Sequence, residues 1–398
     1  MLAERIRAEH GARPGDASLS SGAAGLAVFY AELARAGRGG SDDALAFMDD
    51  AVDAMAQRPM GVSLYAGFPG IAWASELVSS TIDPRGGGDG ASAIDDALLG
   101  ALQRPDWAQA PYDLILGLTG IGVYALSRWP RPAAAQMLTF VAGHLADRAS
   151  HDDDGAFWWT SPELLLGPRR AQSPEGGVDL GVAHGMAGVI PLLARIGHLQ
   201  ADARISALAE DAARWLLAHT VEGQLGPTVP AFLDDVSDPA PTRSAWCYGD
   251  PGVAVTLLLA ARDAPSLSPN EAPVQLAIGA ANRPDNETGV SDAGFCHGSA
   301  GLGHLFNRMH QLTGEPALAD AARRWLERAM DDVGAAAGML STRRDAGAVP
   351  WNGAGLLEGM AGIALVLLAA ASSASPAWDS IFLVSSTATN AAPSGRHG

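Results

Sequence analysis

Cys247 and Cys296 are the only two cysteines of the chain, and each sits just ahead of a glycine motif. The segments read Trp246-Cys247-Tyr248-Gly249-Asp250-Pro251-Gly252 and Phe295-Cys296-His297-Gly298-Ser299-Ala300-Gly301. With His297 they offer two thiols and an imidazole, the soft-to-borderline donors that zinc takes. Three protein ligands leave one position of a tetrahedral ion open for water or a substrate thiolate, the mark of a zinc that does chemistry. Thiols bound to zinc are deprotonated outright, and an incoming thiol would be treated alike. The alternative is two buried cysteines and a helix-cap histidine. The shared place of both thiols and the Cys-His doublet favour the metal.

These segments belong to a longer pattern that must position them. Gly-x-x-Gly precedes an apolar run seven times, beginning at Gly22, Gly67, Gly117, Gly185, Gly249, Gly298 and Gly359. The intervals of 45, 50, 68, 64, 49 and 61 residues each hold a helical hairpin, and such self-similarity marks a repeat architecture. Glycines at i and i+3 share a helix face, and without side chains they let the first turn approach another backbone closely. Runs such as 26–33, 71–77, 253–261 and 363–371 are apolar on most sides, which predicts buried helices. Segments 204–220 and 316–333 each carry a single apolar stripe, marked by Trp215 and Trp325, and predict outer amphipathic helices.

Alternating inner and outer helices predict an all-α fold, an α/α toroid of seven helical hairpins. One domain is expected over residues 1–384, with 385–398 a mobile tail. An open solenoid is the alternative, but a solenoid keeps a tighter repeat length and polar end caps. In a closed ring all seven motifs surround one mouth, and the neighbouring fifth and sixth bring the three ligands together. The Pro- and Asp-rich segments 147–181, 221–242 and 264–287 read as loop excursions that form lids or partner surfaces.

Composition narrows the classes. Hydrophobic residues at 48% against 18% charged describe a globular chain, and 47 glycines are well above the usual share. All 26 basic residues are arginine, and the net charge of −18 argues against nucleic-acid and anionic-membrane surfaces. Residues 1–13 contain early charges and no apolar run of signal type. The longest apolar stretch, 362–371, is too short for a transmembrane segment. A cytoplasmic location is therefore expected, and in that reducing compartment a cysteine pair points to metal or catalysis over a disulfide.

Arg243-Ser-Ala-Trp-Cys-Tyr-Gly-Asp-Pro-Gly252 and Cys296-His-Gly-Ser-Ala-Gly301 resemble the zinc motifs of the lanthionine synthetase C-like family, the lanthipeptide cyclases. The seven glycine pairs resemble that family's as well, so the likeness runs from about residue 18 to 384. The resemblance implies one Zn2+ held by Cys247, Cys296 and His297. It also implies four further site residues: Asp113 before the third glycine pair, His184 before the fourth, Arg243 four residues before the first zinc cysteine, and Tyr248 just after it. The implied reaction is a Michael addition of peptide Cys thiols to dehydroalanine or dehydrobutyrine, forming lanthionine or methyllanthionine rings. In that chemistry His184 handles the proton, Asp113 orients it or pairs with Arg243, and Arg243 or Tyr248 steadies the enolate oxygen. Taken alone, Asp113 reads equally as a helix cap and His184 as structural. Arg243 alone reads as a surface or ion-pair residue, and Tyr248 alone as core.

The implied partners are a dehydrated precursor peptide with a leader, a separate dehydratase and an exporter, since the length leaves no room for a dehydrating domain. Two alternatives stay open: glutathione addition to dehydrated residues, and a non-catalytic zinc-stabilised scaffold that binds peptide or glutathione. Trp246 either lines the pocket or packs beneath it. His144, His198, His219, His304 and His310 read as core or surface residues, His304 least securely. Asp152-Asp153-Asp154 suits the magnesium site of a terpene cyclase but lacks a companion motif, so it reads as a solvated loop. A zinc prenyltransferase would include a carboxylate among its metal ligands, unlike the set here.

Overall fold

The computed structural model describes residues 2–11, 15–84, 89–104, 107, 110–165, 167–234, 242–267, 271–336, 353–373 and 375–386, and in it every Gly-x-x-Gly motif opens a helix. These inner helices are α2 (Ala23–Arg35), α4 (Phe68–Ile82), α6 (Leu118–Arg128), α9 (Met186–Gln200), α11 (Asp250–Asp263), α13 (Ser299–Thr313) and α15 (Met360–Ala370). The chain returns along the outside in α3 (Ser41–Gln57), α5 (Ser92–Leu102), α7 (Pro132–Asp147), α10 (Ala203–Ala218), α12 (Ala272–Asn282) and α14 (Pro316–Ala336). The N-terminal helix α1 (Leu2–Gly11) packs on α15 and so completes the seventh pair. Each inner helix touches the next around the circle, from α2 through α15 and back to α2. The fold is a closed α/α toroid.

Local chemistry explains where the helices start and stop. The Asp202 carboxylate caps α10 by accepting from the Arg204 and Ile205 amides, and Gly314 ends α13 in the left-handed region at φ 77°. The inner helices are apolar almost all round: residues 23–32 of α2 are all buried.

The glycine pairs are a steric requirement of closure. A Cβ on Gly70 would lie 2.0 Å from its own Leu64 carbonyl and 2.9 Å from Leu19 of the first repeat. One on Gly120 would lie 2.4 Å from the Leu114 carbonyl and 3.1 Å from Leu64 of the second repeat. The same contact closes the ring, because Gly25 of the first repeat faces Leu356 of the seventh at 3.0 Å. Backbone hydrogen bonds run beside these contacts. The Ser20 amide donates to Tyr65, Ile115 to Ala183, Val182 to Cys247, Cys247 to Cys296, Cys296 to Leu357, and Leu357 to Ser20, over 2.9–3.3 Å. All motif loops therefore lie at one end of the toroid.

The C-terminal segment fills the centre. A 3-10 helix, Trp378–Phe382, is buried along its length. The Phe382 ring lies 4.0 Å from Phe295 and 5.2 Å from Trp246 between centroids. Tyr65 donates to the Ile381 carbonyl and Trp246 Nε1 to the Phe382 carbonyl, both over 2.8 Å. Asp379, fully buried, accepts from Arg308 Nε at 2.6 Å and Ser385 Oγ at 2.6 Å, with His304 Nε2 2.8 Å away.

The excursions are more ordered than their composition suggests. Segment 264–287, expected as a loop, contains α12, whose buried face of Leu276, Ala277 and Ala280 is the fifth outer stripe. Its Pro273 lies in the first turn, where a missing N–H costs nothing, so the proline opens the helix. The other two excursions hold β1 (Ser150–Asp152), β2 (Gly155–Phe157), β3 (Trp159–Thr160), β4 (Gly177–Asp179), β5 (Val221–Gly223), β6 (Gly226–Thr228) and β7 (Phe232–Leu233), with a one-turn helix α8 (Arg169–Gln172) between β3 and β4. β1–β2 and β5–β6 are hairpins, and β3-β4-β7 is an antiparallel sheet in that order. Of the expected tail, Ser385 is tied to Asp379, while 387–398 lie outside the described residues, as do 235–241 of the second excursion. No described helix is long and apolar enough to cross a membrane.

Candidate active site

Counting back from the first glycine of each motif gives a common register for the mouth. Two positions back stand Ser20, Tyr65, Ile115, Ala183, Cys247, Cys296 and Leu357. The backbone hydrogen bonds just described join these residues across six of the seven junctions between repeats, with Val182 donating beside Ala183 in the fourth. Cysteines at this position in adjacent repeats are therefore placed side by side by the fold, with the Cys247 amide 3.3 Å from the Cys296 carbonyl. One position back stand His184, Tyr248 and His297, and six back stand Asp179, Arg243 and Asp292.

The Cys247 and Cys296 sulfurs and a ring nitrogen of His297 all lie within 4.8 Å of one another, the one such ligand group among the described residues. His297 Nε2 lies 3.0 Å from Asp292 Oδ2, whereas its Nδ1 is buried with no hydrogen-bond partner. A buried nitrogen left orphaned beside two sulfurs, on a ring held from behind by a carboxylate, fits a metal ion of the zinc type. The thiols perturb each other. Cys247 is drawn well below the usual thiol range, by the Cys296 hydrogen bond first and by His297 and Arg243, against burial. Cys296 is pushed well above it by Cys247 and burial. Asp292 foremost pushes His297 up to about 10.

The fourth repeat brings an acid–base group to the same mouth. His184 Nδ1 lies 2.9 Å from Asp113 Oδ2, while Asp113 Oδ1 accepts from the Leu116 amide at 2.6 Å. Asp113 thus both caps its turn and orients the imidazole. Burial lowers the His184 pKa, but the Asp113 bond and the charges of Asp113, Asp179 and Cys247 outweigh it, and the net shift is upward. The exposed Arg243 places Nη2 3.5 Å from Cys247 Sγ. Gly249 makes that approach possible: at φ 103° it follows Tyr248, and a Cβ there would sit 2.0 Å from the Arg243 carbonyl. Tyr248 donates to Asp179 Oδ2 at 2.8 Å, and burial followed by the Asp179 charge raises its pKa. A cavity of about 70 Å³ opens beside Asp113, Asp179, His184, Tyr248, Arg169 and Phe232. A larger one, about 340 Å³, lies on the far side of Arg243.

The structure thus gathers Cys247, Cys296, His297 and Arg243 in one cluster and His184, Asp113 and Tyr248 around one cavity. Trp246 packs beneath them, 1% exposed. His304 belongs to the Asp379 lock in the core. Asp152 closes the β1–β2 turn, accepting from the Asp154 and Gly155 amides and from Trp215 Nε1. The sequence reading missed Asp179 and Asp292. Their signal was a third acid at the same spacing, Asp16, six residues before Gly22. Burial pushes Asp179 up to about 6, with the Gly181 amide and Tyr248 hydroxyl opposing.

A family model described as lanthionine synthetase C-like protein matches residues 13–383. Among solved structures, one named nisin cyclase superposes with a TM-score of 0.71 at 20% identity, covering 96% of this chain and 94% of that one. At that identity the likeness is one of fold. No match was found among curated proteins.

Proposed function

The chain belongs to the lanthionine synthetase C-like family, and from that premise we propose that it is a zinc-dependent lanthipeptide cyclase built on one toroidal domain. Its substrate is a dehydrated precursor peptide carrying a leader, made by a separate dehydratase in the cytoplasm and passed on to an exporter. The observation that carries this reading is the meeting of two kinds of group at one mouth. Cys247, Cys296 and His297 form a three-donor set with an orphaned nitrogen, and His184 of the adjoining fourth repeat is held by Asp113 of the third.

Zinc held by Cys247, Cys296 and His297 would lower the pKa of a substrate thiol, supplying a nucleophile at neutral pH. The remaining work falls to side chains. The substrate sulfur bonds to the β-carbon of the dehydro residue, and the alkene π pair moves toward the α-carbon and carbonyl as an enolate. Arg243, exposed at the mouth, offers guanidinium N–H groups to the enolate oxygen. His184, fixed at Nδ1 by Asp113, uses Nε2 to deliver a proton to the α-carbon. The thiol's proton is given up and an equal one returned to carbon, so the ring forms with no change of mass.

The test follows from that balance. Zinc-loaded protein incubated with dehydrated precursor should consume free thiols while the peptide mass stays constant. An unchanged thiol count would refute the cyclase and favour a binding scaffold. A mass gain of one glutathione per site, in its presence, would favour the adding enzyme.

A further inference from the structure

Three aspartates share one register position, six residues before the first glycine of a motif, and each grips with both oxygens. Asp16 Oδ1 accepts from the Ser18 amide and Oδ2 from Ser21 Oγ. Asp292 Oδ1 accepts from the Gly294 amide at 2.7 Å while Oδ2 faces His297. Asp179 Oδ1 accepts from the Gly181 amide at 2.9 Å, but its Oδ2 reaches across to Tyr248 of the next repeat. The change of partner has a structural cause: His184 of its own repeat is already held by Asp113. Asp179 is 6% exposed at the end of β4, the central strand of its sheet. A Cβ on Gly185 would come within 2.4 Å of its Oδ1, so the carboxylate packs where only glycine leaves space for it.

The geometry points to Asp179 as the positioning residue for Tyr248: it takes the phenol hydrogen, so the phenol oxygen faces the cavity as a hydrogen-bond acceptor for an amide N–H of the peptide beside the reacting alkene. A carboxylate only accepts and a phenol has one hydrogen. With that hydrogen committed to Asp179, the lone pairs of Tyr248 are what remain for the cavity it shares with Asp113 and His184. Steadying the enolate oxygen, which requires a donor, then falls to Arg243. Tyr248 instead orients the acceptor residue, so that its α-carbon stays within reach of His184. This inference deepens the cyclase reading and rests on it.

Asp179→Asn is the discriminating variant. Its amide oxygen can still accept from Gly181, which turns the NH2 group onto the Tyr248 oxygen and sends the phenol hydrogen into the cavity. Ring closure should show kcat lowered about 10- to 100-fold with KM little changed and zinc content intact. Tyr248→Phe should lose a similar amount, and the double variant no more than the worse single one. Losses that multiply, or a wild-type kcat in Asp179→Asn, would overturn the assignment. A readout independent of activity, and of whether that variant folds, is the ring 13Cζ resonance of Tyr248 in the unaltered protein, identified by its loss in Tyr248→Phe. It should fall with that of Tyr124, which donates to the Asp95 carboxylate at 2.7 Å, and away from those of Tyr30 and Tyr65, which donate to peptide carbonyls. A Tyr248 resonance among the latter pair refutes the hold by Asp179. A wild-type protein that consumes no thiol refutes the cyclase reading alone.

Discussion

Replacing Phe382 by alanine should cost the whole toroid about 3–5 kcal/mol, although the residue lies near the end of the described chain. Its ring is 0% exposed and is enclosed by Phe295, Trp246, Tyr65 and Trp378, with centroids 4.0, 5.2, 5.9 and 6.0 Å away. Burying roughly 200 Å² of phenylalanine at about 25 cal/mol per Å² gives about 5 kcal/mol. Alanine keeps the first carbon and the unfolded chain is partly compact, which brings the figure into the stated range. Those four partners come from the second, fifth and sixth motif loops and from the plug itself, so no single hairpin can collapse into the vacated space. Equilibrium unfolding in guanidinium chloride, followed by tryptophan fluorescence, suits the test because Trp246 and Trp378 report the cavity directly. A loss under about 1.5 kcal/mol, typical of a partly exposed site, would refute the idea that the C-terminal segment is part of the cooperative core. Zinc affinity should weaken in parallel, since Trp246 adjoins Cys247, a proposed ligand. The Trp246 bond to the Phe382 carbonyl survives the substitution, so binding should persist in folded protein.

Asp292→Ala should weaken zinc binding about 10- to 100-fold, measured by competition with a chromophoric chelator, because the His297 ring loses the carboxylate that orients it. Unaltered affinity would remove His297 from the ligand set. His184→Asn should retain zinc and lose about 10²- to 10⁴-fold in cyclisation rate; full activity would end its role as proton carrier. The same variant carries a pH signature in stability. The folded pKa of His184 is raised, so its pairing with Asp113 stabilises fully below the unfolded value and fades as pH rises through the folded one. Its deficit in denaturant midpoint should therefore be largest near pH 5 and shrink on the alkaline side. Asp179→Asn should do the opposite near neutrality. A carboxyl raised from 3.8 to about 6 costs about 3 kcal/mol while ionised, so the variant gains stability at pH 7.5, and that gain disappears as pH falls from 6 to 4.

The inner helices were legible because a buried helix must be apolar on every side and its start must be bare wherever another backbone touches it. Gly70 and Gly120 record both demands in the chain itself. The fifth outer helix was obscured because proline and aspartate at its borders read as loop, although its stripe of Leu276, Ala277 and Ala280 obeyed the helical period. Of the groups at the mouth, Cys247, Cys296 and His297 stood out by type, as the chain's only two cysteines and the histidine beside one of them. Asp179 and Asp292 did not stand out, because aspartates are common ahead of helices and only their partners distinguish them.

By itself, then, the sequence determined the repeat, the inner and outer assignment of most helices and the identity of the metal-type donors. All of these are set by local periodicity and by residue chemistry. Which residues meet was decided by tertiary closure. Ser20 of the first motif accepts from Leu357 of the seventh, and a bond of the same kind sets Cys247 beside Cys296. The packing of each repeat on the next also carries Asp179 across to Tyr248 and Asp113 across to His184, pairs separated by 69 and 71 residues. No local rule can announce such pairs, because they form only when one repeat packs on another.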